Sequence, residues 1–197
     1  MDYQTLKKNF ENHGFATHYC ENGEEVKAYL EAQIQNTVVA FGGSVTAHSL
    51  HLDEVLEKKN IIIWHHKVPG MDTLRTAQTA KVYICSANGV SETGELVNID
   101  GTGNRLAMTI FGPEKVYYIV GKNKITPDLH SAIDRAKNIA APKNAQRLGR
   151  KTPCALKGDR CYNCNSPERI CRATVIMDRP TGAVAAEVVF VNEDLGL

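Results

Sequence analysis

No window of this 197-residue sequence approaches the ~20 consecutive apolar residues needed to span a bilayer. The opening Met1-Asp2-Tyr3-Gln4-Thr5-Leu6-Lys7-Lys8 also lacks the apolar core of a secretory signal, so a cytoplasmic protein is expected. Neither sign of charge predominates: 23 Lys plus Arg face 22 Asp plus Glu, a formal net charge of +1. No overall field therefore draws the chain to nucleic acid or to an anionic membrane, and neither is expected as a partner. Internal repeats, low-complexity tracts and long linkers are missing as well, which predicts one domain over residues 1–197 with a polar, cysteine-bearing segment at about 143–172. A chain of this length buries roughly two-thirds to three-quarters of its unfolded surface and needs no outside staples. In a reducing compartment its six cysteines stand as thiols or metal ligands rather than structural disulfides.

The chain does contain alternating strand and helix signals. Asp2 suits the cap of a helix whose Tyr3, Leu6 and Phe10 share a face, with Gly14 just past its end. Asn22 and Glu25 form a variant capping box ahead of Val26, Tyr29, Leu30 and Ile34 at helical spacing. Buried-strand runs recur at Thr37–Phe41, Ile61–Trp64, Val82–Cys85 and Val116–Val120, separated by segments of helical period. That alternation predicts a parallel, doubly wound α/β sheet. A long helix is expected from Pro127 through Ile139, stopped by Pro142, and strands near Thr174–Met177 and Val188–Val191 close the chain.

The strongest chemical signal is Cys154, Cys161, Cys164 and Cys171, in the pattern C-x6-C-x2-C-x6-C. Four thiolates from so short a segment satisfy a [4Fe-4S] cluster or a tetrahedral zinc. Only one C-x2-C knuckle is present and no Cys-Pro end, so neither a zinc ribbon nor a ferredoxin run is matched in full. Cys85 in an apolar strand and Cys20 beside Tyr19 read as packed thiols, not ligands.

Three polar loops follow strands. Gly42, Gly43, Ser44 and Thr46 precede a helix, where glycines admit a ligand to the backbone and hydroxyls donate to an anion; the same Ser or Thr also serves as an ordinary cap. The stretch Ser91 to Arg105 carries Glu92, Asp100, Gly101, Gly103, Asn104 and Arg105 between a strand and a helix, either as a site at the carboxyl edge of the sheet or as a solvated double turn. Lys122 and Lys124 follow a further strand and, with Arg105, suit an anionic substrate. His65 and His66 end another strand, as a surface pair or as ligand or catalytic groups, and Arg147, Arg150 and Lys151 precede the cysteines, suited to offset the charge of a thiolate-bound cluster or simply to face water.

With these residues assembled, the chain resembles the LUD (lactate-utilisation) domain family. The likeness rests on Ser86-Ala87-Asn88-Gly89-Val90-Ser91-Glu92-Thr93-Gly94-Glu95, Asn98-Ile99-Asp100-Gly101-Thr102-Gly103-Asn104-Arg105, Phe111-Gly112-Pro113-Glu114-Lys115-Val116, Gly121-Lys122-Asn123-Lys124-Ile125 and the closing Glu193-Asp194-Leu195-Gly196-Leu197. The resemblance implies a three-layer sandwich around a largely parallel sheet, like ribose-phosphate isomerases and CoA transferases, and a part in bacterial oxidation of lactate to pyruvate by several subunits, some with iron–sulfur centres. Cys164-Asn165-Ser166-Pro167-Glu168-Arg169-Ile170-Cys171 looks like a stand-alone subgroup.

Three functions compete. The first is a redox or accessory role in organic-acid oxidation, with an iron–sulfur cluster on the four cysteines, a redox partner protein, and a small anionic carboxylate, phosphate or CoA ester as ligand. The second is a CoA-transferase-like enzyme in which Glu92 is the attacking carboxylate, since Ser91-Glu92-Thr93-Gly94 resembles the nucleophile loop of those enzymes. The third is a non-catalytic binding module with structural zinc.

Overall fold

The computed structural model describes residues 2–197, leaving Met1 outside the described residues. In chain order the elements are α1 (Tyr3–Asn12), β1 (Ala16–Cys20), α2 (Gly23–Gln33), β2 (Val38–Phe41), α3 (Val45–Ser49), α4 (Leu52–Leu56), β3 (Ile61–Ile63), α5 (Met71–Thr76), β4 (Val82–Cys85), β5 (Gly89–Ser91), β6 (Leu96–Asp100) and α6 (Asn104–Ile110). There follow β7 (Lys115–Gly121), β8 (Ile125–Thr126), α7 (Leu129–Arg135), α8 (Ala141–Arg147), α9 (Pro153–Lys157), β9 (Ala173–Met177) and β10 (Ala185–Val191). Among the described residues no helix is long and apolar enough to cross a membrane.

Six strands form one sheet in the order β1-β10-β7-β4-β2-β3, and every pairing in it is parallel. Parallel strands need crossovers that cover both faces, and the side chains obey that demand. Along β7, Val116, Tyr118 and Val120 enter a core with Phe10 and Phe190, whereas Tyr117 and Ile119 enter a second core with Leu30 and Phe41. The period of two thus divides one continuous apolar run between two layers of packing. α1 supplies Leu6 and Phe10 to the first core, and α2 supplies Val26 and Leu30 to the second. The result is the three-layer α/β sandwich that the family resemblance implied, built around the parallel sheet predicted from the strand runs.

The caps follow the local sequence. The Asp2 carboxylate accepts from the Gln4 and Thr5 backbone N–H groups, and the Asn22 side chain accepts from Glu25 N–H. Three features depart from the sequence reading. β1 was expected nowhere, because Ala16-Thr17-His18-Tyr19-Cys20 is short and mostly polar or half-buried; it pairs with β10 at the sheet edge. The stretch after Ser91 is not loop throughout: β5, β6, β8 and β9 form a second sheet in the order β8-β5-β6-β9, antiparallel across β5–β6 and β6–β9. Its Val90, Leu96 and Met177 pack into the first core, while Val97 meets Ala132 and Ala136 on its other side. Finally, Pro142 does not stop the long helix. A π turn over Ala136–Ala140 follows α7 and runs directly into α8, so the helix carries on through Pro142, which lies just past the wider turn.

The second sheet approaches α7 so closely that Gly89 admits no side chain. A Cβ there would stand 2.2 Å from the Ala132 carbonyl oxygen, a backbone atom that cannot swing aside. Gly89→Ala is expected to lower unfolding stability by about 1–3 kcal/mol, read as a lower midpoint in urea at unchanged slope.

Candidate functional site

At the carboxyl edge of the large sheet the chain leaves β2 toward β3 on one side and leaves β4, its neighbour, toward β7 on the other. Loops that part in this way open a crevice, and ligands of open α/β sheets settle there. The residues after β2 (Gly43–Thr46), after β4 (Ser86–Asn88), after β7 (Lys124) and after β10 (Leu197) all reach this edge and line a cavity of about 50 Å³. Gly43, Asn88, Arg105 and Asn144 border it and also a larger cavity of about 220 Å³, which is further walled by His65, Asp100, Gly101 and Arg147. Together they suit a molecule smaller than the ligands of typical 300–1,000 Å³ pockets.

Arg105, on the first turn of α6, stands where the two cavities meet. Its Nη1 donates to Ser86 O at 3.4 Å and to the Asn98 side chain, Nη2 donates to Ile99 O at 2.6 Å and Asn88 Oδ1 at 3.2 Å, and Nε lies 3.3 Å from Asp100 Oδ2. All five guanidinium donors are therefore occupied within the protein. The other Asp100 oxygen accepts from Thr102 and Gly103 N–H, closing the turn into α6. Gly42 completes the fit, since a Cβ there would come within 3.1 Å of Arg105 Cδ. The sequence reading took Arg105 as a clamp for an anionic ligand; the structure makes it the tie between the two sheets.

Lys124 is only 3% exposed. Its Nζ donates to Thr46 Oγ1 at 2.9 Å and Ser86 Oγ at 2.8 Å, and no carboxylate pairs with it among the described residues. Burial, then the nearby Arg135 and Arg105 guanidiniums, pull its pKa down to about 7, against a smaller opposing pull from Cys85. His65 and His66 flank the larger cavity; burial lowers both, His66 to about 4, with His65, Arg147 and His48 adding to the shift, so both imidazoles are neutral near pH 7.

The cysteine segment docks onto this site. Cys154, Cys161, Cys164 and Cys171, all partly buried, line a single small cavity together with Lys137 and Arg169. Ala141 and Ile170 line both that cavity and the larger pocket, so one layer of residues separates them. Arg172 N–H donates to Asp100 O at 2.9 Å, and a Cβ on Gly101 would meet Ile170 O at 2.8 Å, so the end of the segment lies directly on the Asp100–Gly101 turn. All six cysteines are free, and among the described residues no three His, Cys, Asp or Glu side chains converge closely enough to hold one metal ion as they stand. Cys85 and Cys20 are buried and their thiols are pushed up to about 12 by desolvation, in keeping with a packing role.

Of the residues singled out in the sequence, Gly43, Ser44, Thr46, Asp100, Gly101, Asn104, Arg105 and Lys124 come together around the two cavities. Gly103 adopts a left-handed conformation (φ +91°) as the cap of α6, and Gly42 packs behind Arg105. Glu92 and Lys122 are not brought there. Glu92 is exposed in the β5–β6 turn, where its backbone oxygen accepts from Asn9, and Lys122 is exposed with its N–H on Glu193 O. Sequence reasoning missed Ser86, Asn88 and Asn144. Ser86 and Asn88 sit beside the Gly89 that follows a strand, a usable signal; Asn144 reaches the pocket only because the helix continues past Pro142.

Two expectations follow. Arg105→Lys keeps the charge but not the five-point fork, and is expected to cost about 3 kcal/mol of unfolding stability, measured by urea titration. An unfolded lysine titrates near 10.5 and Lys124 near 7, so between those values the unfolded chain binds more protons and the Lys124 contribution to stability rises with pH. The urea midpoint of the native protein should therefore gain on that of Lys124→Met from pH 7 to pH 10; a constant difference would count against the depressed pKa.

Comparison with known proteins bears on the whole chain. A search of curated proteins finds no match. Among solved structures, the chain is similar to the crystal structure of a DUF162 family protein from Deinococcus radiodurans, with a TM-score of 0.57 and 12% identity over 96% of this chain and 95% of that one. At that identity the likeness shows a common fold. The LUD domain model matches residues 3–191, from the first helix to the last strand and through the cysteine segment, and this protein belongs to the LUD domain family.

Proposed function

We propose that this LUD-domain protein serves organic-acid oxidation in a redox or accessory role, with a [4Fe-4S] cluster on Cys154, Cys161, Cys164 and Cys171 and a small anionic molecule in the adjoining pocket. The observation that carries this reading is the shared wall: Ala141 and Ile170 border both the cysteine-lined cavity and the pocket, an arrangement that a purely structural metal has no need of. The donor set suits the group. Four thiols and no carboxylate border the cavity, and Lys137 and Arg169 lie against it to offset thiolate charge. Arg169 also fixes the segment, its Nη1 donating to Cys164 O at 2.8 Å and its Nε to Cys171 O at 2.8 Å. When bound, a cluster of this kind supplies one-electron transfer.

On the pocket side, cationic groups favour an anion. Arg147 and Arg150 stand on the rim of the larger cavity and Lys124 borders the smaller one. Their chemistry accepts a carboxylate or a phosphate alike. The CoA-transferase-like alternative draws no support from the placement of Glu92, which is exposed and borders neither cavity.

Protein purified without oxygen is expected to be brown, with about four irons and four acid-labile sulfides per chain, and to lose both colour and iron in Cys161→Ser, Cys164→Ser. Colourless protein with about one zinc per chain would overturn the redox role and leave a structural metal beside an anion pocket.

A further inference from the structure

We infer that Lys124 is a nucleophilic lysine, forming an imine with a small carbonyl compound that carries a carboxylate or phosphate group. This rests on the pocket taking a small anionic molecule and is independent of the cysteine cluster.

The hydrogen-bond directions carry the inference. The Ser86 hydroxyl donates to Ile119 O at 2.6 Å and the Thr46 hydroxyl donates to Leu195 O at 3.4 Å. With their own protons so placed, both oxygens accept from Lys124 Nζ, at 2.8 and 2.9 Å. Two acceptors fully occupy the two hydrogens of a neutral amine and leave its third tetrahedral position to the lone pair. An ammonium in the same place would carry a third hydrogen and a full charge in a site where it is 3% exposed and lacks a carboxylate partner. The charges that face it come from three elements: Arg105 on α6, Arg135 at the end of α7, and Cys85 on β4. Both guanidiniums oppose a further cation, and the Cys85 thiol, pushed up to about 12 by its burial, stays neutral. Arg135 is itself engaged, with Nε on Asn123 O at 2.9 Å and Nη1 on Asn88 O, so it does not relieve Lys124 by moving toward a ligand.

The amine borders the smaller cavity, and Gly43, Asn88, Arg105 and Asn144 border both that cavity and the adjoining larger one, whose rim bears Arg147 and Arg150. A carbonyl carbon at the amine and an anionic group toward the rim is the orientation these charges favour. The step balances without a further reactant. The Nζ lone pair attacks the carbonyl carbon and the C=O π pair moves to oxygen; both amine hydrogens then pass to that oxygen, which leaves as water, and the C=N bond forms with no change of oxidation state.

Glyoxylate, the smallest 2-oxo acid, and acetaldehyde, which has the carbonyl without the anion, are the probes. Each is incubated with the full-length protein and sodium cyanoborohydride, and the modified peptide is identified by mass spectrometry after digestion. The expected result is a reduced glyoxylate adduct on Lys124 at concentrations about tenfold below those acetaldehyde requires, the margin set by the charge-assisted contacts to the anionic group. The adduct should be lost in Lys124→Met, which removes the amine without adding a buried charge, and kept in Lys122→Arg. Equal labelling of Lys124 by both probes would uphold the nucleophile and overturn the anionic pocket. Labelling confined to exposed lysines such as Lys122 and Lys137 would overturn the nucleophile itself, whatever the metal content of the protein.

Discussion

Five acceptors converge on one guanidinium, and the rest of the site depends on that convergence. Arg105 reaches Ser86 and Asn88 at the end of β4, Asn98, Ile99 and Asp100 on β6, and leans against Gly42 after β2. The large sheet and the small one share no strand, so their relative placement relies on packing and on such cross-links. A planar donor with a fixed fork does this better than any flexible cation, because each bond fixes the direction of the others. Both cavities exist where this tie holds three loops apart at the edge of the sheet.

Electrostatically the site runs against the average of the chain. The net charge is +1, yet Arg105, Arg135 and Lys124 crowd the floor of the crevice, and Asp100 is the one carboxylate seen paired there. Arg135 is held by carbonyl oxygens, and Arg105 by four carbonyl and amide oxygens beside the one Asp100 carboxylate, which keeps the charge of the floor only partly offset. The third, Lys124, responds by giving up its proton near neutrality. Local surplus of one sign inside a balanced sequence is a property of the fold, invisible to composition.

The strand runs of the large sheet were legible because strands buried on both faces must be apolar throughout, and Val82–Cys85, Val116–Val120 and Val188–Val191 are. β1 was not, since an edge strand half open to solvent carries Thr17 and His18 and matches no template. The small sheet escaped for another reason: Glu92, Asp100 and three glycines between residues 91 and 105 imitate a loop, while the hydrogen bonds that make β5 and β6 come from distant partners such as β8 and β9. Within the site, glycine-rich and charged residues after strands were found by rule, and Lys124 among them. What no rule supplied was the division of labour between two similar cations, one saturated by five oxygens and the other short of a counter-ion. Glu92 and Lys122 shared the composition of the site without its location, both being exposed in turns that border neither cavity.

The close approach of Gly101 to the Ile170 backbone has a thermodynamic meaning. Any group that orders the segment from Cys154 to Cys171 also sets the position of Ile170 and Arg172, and through them the Asp100–Gly101 turn that forms one wall of the pocket. Reciprocity then holds: a molecule that settles against that wall must shift the free energy of the cysteine segment by the same amount that the segment shifts its binding. The two cavities are divided by a single layer of residues, and Gly101 stands at that contact.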